Sequence, residues 1–269
     1  MTGKIYVAGC GRMGLGMCRA LVEQGFDATG FDIRPADDFG EFARHMTFDA
    51  AAMRAEAETL FTVVRDIDET EALLFTDQRA VEAKRLRTLI VSSTLSPRYS
   101  KALAGRIPDH ITLIDAPMSG AQIAADERRL SFMLGGPDEA LDRLAPLFDA
   151  MGTKIHRMGP FGAGMTAKVL NNYVAVATAA ANRQAYDWAK TLDLDPKRLR
   201  ALMHDSSGQT WFGTNFDDIE FARDGYDPKN TIGTLAKDMA AALHGADAED
   251  NAVGQAIIAY LKTLKPYRD

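Results

Sequence analysis

The chain has 269 residues and a mass of 29.3 kDa, with 46% hydrophobic and 25% charged residues, 22 glycines and two cysteines. That length admits one large domain or two modest ones with ample core, so neither a disulfide nor a metal staple is needed. The net charge is −6, the pI is near 5.4, and Lys and Arg are scattered rather than gathered in a stripe, which disfavours a nucleic-acid partner.

The opening apolar run turns into glycines too soon for a signal-peptide core, and the longest apolar stretch, Tyr173 to Ala181, is about half of what a bilayer demands. The expectation is a cytoplasmic protein with no membrane partner. Cys10 and Cys18 lack the spacing of a metal or redox motif, and the five histidines are far apart. The two thiols read as small buried hydrophobes, and no metal is implied.

Over the first 160 residues, short apolar runs alternate with segments of helical spacing. Lys4–Ala8, Ala28–Ile33, Thr59–Val64, Leu89–Val91, Ile111–Ile114, Leu130–Leu134 and Lys154–Met158 read as strands. Met13–Glu23, Phe48–Ala57, Asp68–Phe75, Pro97–Ala104 and Pro137–Met151 read as helices between them. This alternation predicts an α/β fold, a doubly wound, mostly parallel sheet of Rossmann type covered on both faces. Beyond it the pattern is helical only: about Gly164 to Leu192, then Pro196–Met203, Phe216–Ala222, Ile232–Leu243 and Asn251–Thr263. The division predicted is residues 1–160 for a nucleotide-binding domain and 161–269 for an all-helical one, joined rigidly by the long helix with a cleft between them.

The strongest local signal is Gly9-Cys-Gly11-Arg-Met-Gly14, which follows a strand and opens a helix. Gly9 permits a tight turn, Gly11 lets the backbone approach a pyrophosphate, and Gly14 lets helix and strand pack closely, while the helix N-terminus offers free N–H groups. The competing reading is a tight turn and nothing more. Asp32 ends the second predicted strand, where a carboxylate accepts from the ribose hydroxyls of NAD and repels the 2′-phosphate of NADP. Arg34, two residues on, could instead pair with that phosphate. NAD is favoured and NADP stays open.

Ser92-Ser93-Thr94 stands at the carboxyl end of a strand, where open α/β sheets bind ligands, and it could equally belong to a helix cap before Pro97. In Asp115-Ala-Pro117-Met-Ser119-Gly120, also at a strand's end, Ser119 and the Gly120 amide could hold a carboxylate or simply make a turn. Lys168 and Asn172 are four apart and share one helical face among Val, Ala, Leu and Met. Such a lysine can snorkel to water. Beside a hydride-transfer site it can instead give a proton to a carbonyl oxygen and, once neutral, take one from an alcohol.

In this order the motifs resemble the β-hydroxyacid dehydrogenases, which include 3-hydroxyisobutyrate dehydrogenase, over nearly the whole chain. The glycine signature through Met17, the stretch Asp115 to Gly120, the stretch Gly162-Ala-Gly164 through Lys168 and Asn172, and Lys237-Asp238-Met239 carry the likeness. The resemblance implies an NAD(P)-dependent oxidoreductase that interconverts a small β-hydroxy acid with its semialdehyde or keto acid. It implies Lys168 as general acid/base, Asn172 orienting the substrate, and Ser119, Gly120 and Ala121 at its carboxylate. Arg12, Met13, Val64 and Thr94 would join Gly9, Gly11, Gly14, Asp32 and Arg34 around the cofactor, with Lys237 close to nicotinamide and substrate. A homodimer or homotetramer, formed through the helical half, is part of the same expectation.

Ala121, Ala124 and Arg128 stand where the family carries glycines, which is expected to narrow or recharge the pocket rim. Trp211 and Phe212 are either pocket wall or core. Two other readings stay open: an imine reductase on the same scaffold, which Lys168 argues against, and a silent dinucleotide-binding module. The 6-phosphogluconate dehydrogenases share the N-terminal logic, but their larger helical domain does not fit. A negative surface does not steer an anionic acid, so Lys168, Lys237 and helix N-termini would have to attract it.

Overall fold

The computed structural model describes residues 3–268. They form two compact units, the first ending at Lys168 and the second beginning at Val169.

Nine strands lie in the first unit: β1 (Ile5–Ala8), β2 (Ala28–Phe31), β3 (Met46–Thr47), β4 (Thr59–Thr62), β5 (Thr88–Val91), β6 (Thr112–Asp115), β7 (Met118–Ser119), β8 (Leu130–Gly135) and β9 (Gly152–Gly159). They make one sheet in the order β3-β2-β1-β4-β5-β6-β8-β7, with β9 on β8. Pairing is parallel from β3 through β6, with Ile5 opposite Ala28 on one side and Thr59 on the other. β8 runs antiparallel to β6 and β7, and β9 parallel to β8. The sheet grows one way from β1 to β3 and the other way from β4 onward, so the carboxyl ends of β1 and β4 form a switch point of the kind that holds ligands in doubly wound folds.

Alternation along each strand sends side chains to two cores. Ile5, Val7, Phe61, Ile90 and Ile114 join one cluster, and Tyr6, Ala8, Leu60, Leu89 and Val91 the other. Helices α1 (Gly14–Glu23), α2 (Ala50–Glu56), α3 (Ile67–Glu71), α4 (Pro97–Ala104), α5 (Ala121–Asp126) and α6 (Asp138–Met151) connect the strands. Ser96 caps α4 with Pro97 in its first turn, so the cap reading of that stretch applies to Ser96.

Helix α7 (Ala163–Thr191) starts in the first unit and continues into the second, which adds α8 (Pro196–His204), α9 (Trp211–Thr214), α10 (Thr231–Gly245) and α11 (Ala252–Leu261). No strand follows β9 among the described residues, and no helix there is long and apolar enough to cross a membrane.

The helix expected over Phe216–Ala222 is absent, and the segment runs as successive turns. Its apolar residues are buried as the spacing suggested, in a cluster of Phe212, Phe216, Phe221, Tyr186 and Tyr267. The buried Arg183 of α7 holds the chain just beyond it: its guanidinium donates to the carbonyls of Ala222, Asp224 and Lys265 at 2.8–2.9 Å. Phe212 is therefore core, while Trp211 is exposed. Several elements have no counterpart among those expected from the sequence: 3₁₀ segments over Ala36–His45 and Ala80–Glu82, the two-residue strands β3 and β7, and the short helices α5 and α9.

Ala121 and Arg128 have φ of 61° and 56°, a region that costs an L-residue about 1–2 kcal/mol. Ala121→Gly should raise stability by about 0.5–1 kcal/mol, the relief exceeding the entropy that glycine adds to the unfolded chain. An upward shift of the urea midpoint checks this. Cys10 and Cys18 are buried, and a hydrogen bond with Cys18, followed by burial, pushes the Cys10 thiol above its ordinary range. Neither thiol should react with a disulfide reagent at pH 8 until the protein is unfolded.

Candidate active site

The glycines of the first loop fall into two classes by what surrounds them. Gly9 has φ of 93°, and a Cβ there would sit 2.7 Å from the Val63 carbonyl oxygen; a Cβ on Gly14 would run into the carbonyl of Gly9. Packing within the chain demands both. A Cβ on Gly11 would meet nothing within 4 Å, so no protein contact requires glycine there, and its bare backbone faces open space. No side chain caps the N-terminus of α1. A dinucleotide's pyrophosphate fits this set: open backbone at Gly11 and an uncapped helix end behind it. Arg12 is exposed, Met13 half-buried, and Val64 and Thr94 are half-buried just beyond β4 and β5. At the same carboxyl edge, the buried hydroxyls of Thr62 and Ser92 have no hydrogen-bond partner. Polar groups left unsatisfied in this way gather at binding sites.

Asp32 is buried at the end of β2 and already engaged. The Arg34 backbone amide and Nε donate to its Oδ1 at 3.0 and 3.1 Å, and Nη2 donates to Oδ2 at 3.2 Å. The same Nη2 donates to the Cys10 carbonyl at 2.8 Å, tying the end of β2 to the glycine loop, and the guanidinium lies 4.7 Å from the Phe39 ring centre. Hydrogen bonding to Asp32 raises the Arg34 pKa above its ordinary value. Asp32 and Arg34, opposed in the sequence reading as ribose and phosphate ligands, form one ion pair.

Asp115, the last residue of β6, is fully buried. Its Oδ1 accepts from the Gly162 amide at 2.8 Å and its Oδ2 from the Met165 amide, which caps α7 from 47 and 50 residues away. Burial raises the carboxyl's pKa, and these two amides oppose the rise. The Met165 amide of the first turn of α7 and the Gly162 amide just before it are thus taken, and they do not serve an anionic substrate, contrary to the expectation from the charge balance. Beyond β6, Ser119 and Gly120 are half-buried, and Gly120 has φ of 138°. A Cβ on Gly120 would sit 2.5 Å from that of Ala124, so Ala124 packs in the core under the turn instead of lining a rim.

Lys168 is buried on α7, three residues past Met165. In the second unit, Asn172 and Asp238 are buried together, with Asn172 Nδ2 donating to Asp238 Oδ2 at 2.7 Å. The half-buried Lys237 lies 3.5 Å from Asp238 Oδ1. Two residues were missed in the sequence: Asp115 as a helix cap and Asp238 as the group that fixes the Asn172 amide. In both cases the signal was a carboxylate inside an apolar element, Leu-Ile-Asp on β6 and Ala-Lys-Asp-Met-Ala on α10.

Comparison with known proteins agrees with this geometry. Residues 4–159 match the family described as the NAD binding domain of 6-phosphogluconate dehydrogenase, and residues 162–259 that described as the NAD-binding domain of NADP-dependent 3-hydroxyisobutyrate dehydrogenase. The chain is 28% identical over 251 residues to an L-threonate dehydrogenase of Cupriavidus necator, covering 91% of this chain and 84% of that protein. It is 30% identical over 212 residues to an NAD-dependent L-serine dehydrogenase of Pseudomonas aeruginosa, covering 77% and 71%. A solved Mycobacterium tuberculosis 3-hydroxyisobutyrate dehydrogenase with L-serine superposes with a TM-score of 0.78 at 26% identity, covering 98% of this chain and 97% of that one. These matches, in a chain with a glycine loop at the switch point of a doubly wound sheet and a buried lysine on the long helix that follows, place it in the β-hydroxyacid dehydrogenase family, the NAD(P)-dependent oxidoreductases of small β-hydroxy acids.

Proposed function

We propose that the protein oxidises a small β-hydroxy acid reversibly to its semialdehyde or keto acid, preferring NAD, with Lys168 as general acid/base. The observation that carries this reading is the burial of Lys168 on α7. A snorkelling lysine keeps its head in water. A buried one on a helix that opens beside the sheet's carboxyl edge is held for chemistry.

The nicotinamide, when bound, takes up or supplies hydride. In the oxidative direction neutral Lys168 takes the hydroxyl proton as the C–H bond gives up its hydride and the C=O bond forms; in reduction its ammonium returns that proton to the oxygen. Ser119 and the Gly120 amide hold the substrate carboxylate, and Asn172, its amide fixed by Asp238, orients the substrate beside Lys168. Gly9, Gly11 and Gly14 with Arg12 and Met13 cradle the pyrophosphate, Asp32 takes the adenosine ribose, and Val64 and Thr94 border the nicotinamide side. Lys237 closes the site. Residues 1–160 serve as the NAD(P)-binding domain and 161–269 as the substrate-closing and oligomer-forming one. Exposed Leu170, Val174 and Trp188 on α7 support a homodimer or homotetramer, and the free thiols suit a cytoplasmic location.

Two measurements test these roles. Lys168→Ala should lower kcat by about 10²–10⁴-fold while the NADH dissociation constant stays within about twofold; substantial retained turnover on a panel of hydroxyisobutyrate, serine, threonate and glycerate would refute the lysine's role. Because Arg34 neutralises Asp32, the wild type should favour NAD over NADP only moderately. Arg34→Ala should sharpen that preference about tenfold by leaving the carboxylate unpaired against a 2′-phosphate, read as the ratio of kcat/KM for the two cofactors.

A further inference from the structure

We propose that Asp115 is a positioning residue for the catalytic lysine: a buried carboxylate on β6 that sets where α7 begins and so where Lys168 stands. The proposal rests on the reading of Lys168 as general acid/base.

The other capped helices show what an ordinary cap looks like in this chain. Asp49 caps α2, Ser96 α4, Asp195 α8, Asn230 α10 and Asn251 α11, each from the residue immediately before its helix. A cap of that kind holds a helix together without saying where it lies. Helix α7 is capped instead from a strand of the central sheet, 47–50 residues away in sequence, by a side chain with no exposure to water. Sealing a carboxylate is expensive, and a local hydroxyl or amide would satisfy the same two amides at lower cost. What the remote cap adds is registration of the helix against the sheet.

The surroundings are cleared for this contact. A Cβ on Gly135, which pairs with Asp115 across β6 and β8, would strike Asp115 Oδ1. A Cβ on Gly164 would lie 3.0 Å from Oδ2 and collide with the Met133 carbonyl, and Gly162 approaches with φ of 93°. A second tie holds the same turn: the Leu95 amide, next to Thr94, donates to the Met165 sulfur at 3.3 Å. Met165 is thus fixed from β6 by its amide and from the loop after β5 by its side chain. Lys168 follows three residues later, about one turn along. A residue whose amine must meet a reacting oxygen to within a fraction of an ångström depends on that turn, and a misplacement of about 1 Å can cost about 100-fold in rate.

The test is a double-mutant cycle of Asp115→Asn, which keeps one acceptor oxygen, and Lys168→Ala, with Asp115→Ala alongside. Turnover is expressed per NADH-binding site from fluorescence titration, so that loss of folded protein is not counted as loss of rate. Asp115→Asn should lower kcat about tenfold and Asp115→Ala about 100-fold, with the NADH dissociation constant within about twofold of wild type. The solvent deuterium isotope effect on kcat should rise, because a displaced lysine makes proton transfer slower. In the Lys168→Ala background, Asp115→Asn should cost nothing further. Unchanged kcat per site in Asp115→Asn, or a loss that adds fully to that of Lys168→Ala, would overturn the proposal even where Lys168→Ala is inactive. An active Lys168→Ala enzyme would instead defeat the lysine reading itself. Should Asp115→Ala not fold, Asp115→Asn and the cycle decide alone.

Discussion

A carboxylate removed from water has to be answered by donors, and Asp115 is answered by backbone amides at the start of α7. That contact joins the strongest element of the first unit, the parallel sheet, to the element that carries Lys168. A Cβ at position 135 would strike this carboxylate, and one at 164 would lie 3.0 Å from it while colliding with the Met133 carbonyl. The contact also removes the Gly162 and Met165 amides from the list of anion sites. A net charge of −6 gives no general field that would draw in an acidic substrate.

At the cofactor end, the same residue type answers two different constraints. Gly9 and Gly14 are small because chain packs against chain, whereas Gly11 is small with nothing of the protein against it, leaving backbone bare toward the space a pyrophosphate needs. Arg34 adds a brace that such loops do not require, bonded at once to Asp32 and to the carbonyl between the first two glycines. A ribose hydroxyl reaching Asp32 has to compete with a guanidinium already in place. Asp32 and Arg34 form a pair, and neither residue's charge can be read alone.

Most of the sheet was legible because a strand buried on both faces is a short run of apolar residues bounded by turn formers, and β1, β2, β4, β5 and β8 have that form. The glycine loop was legible because its position between strand and helix is part of the signal. What escaped was set by partners distant in sequence. Phe216, Ile219, Phe221 and Ala222 have helical spacing and are buried, yet the segment runs as turns whose end is tied down by Arg183, some 40 residues earlier. The Asp115 cap and the Asn172–Asp238 bond are contacts across about 50 and 66 residues. Both carboxylates lie in motifs whose neighbours carry the more recognisable chemistry: Ser119 and Gly120 in one, Lys237 in the other. Ala121 shows the opposite case, a substitution visible in the sequence whose consequence is a φ of 61° that only the backbone reveals.

Whether an anchored helix delivers Lys168 to the reacting oxygen of a β-hydroxy acid is decided by a crystal structure of the protein with reduced cofactor and an unreactive analogue of the hydroxy acid. Lys168 Nζ should lie within about 3 Å of the analogue's hydroxyl oxygen, with the analogue's carboxylate on Ser119 and the Gly120 amide and Asp115 still bonded to the amides of Gly162 and Met165. A complex in which Lys168 points to solvent, or in which another side chain holds that oxygen, would contradict it.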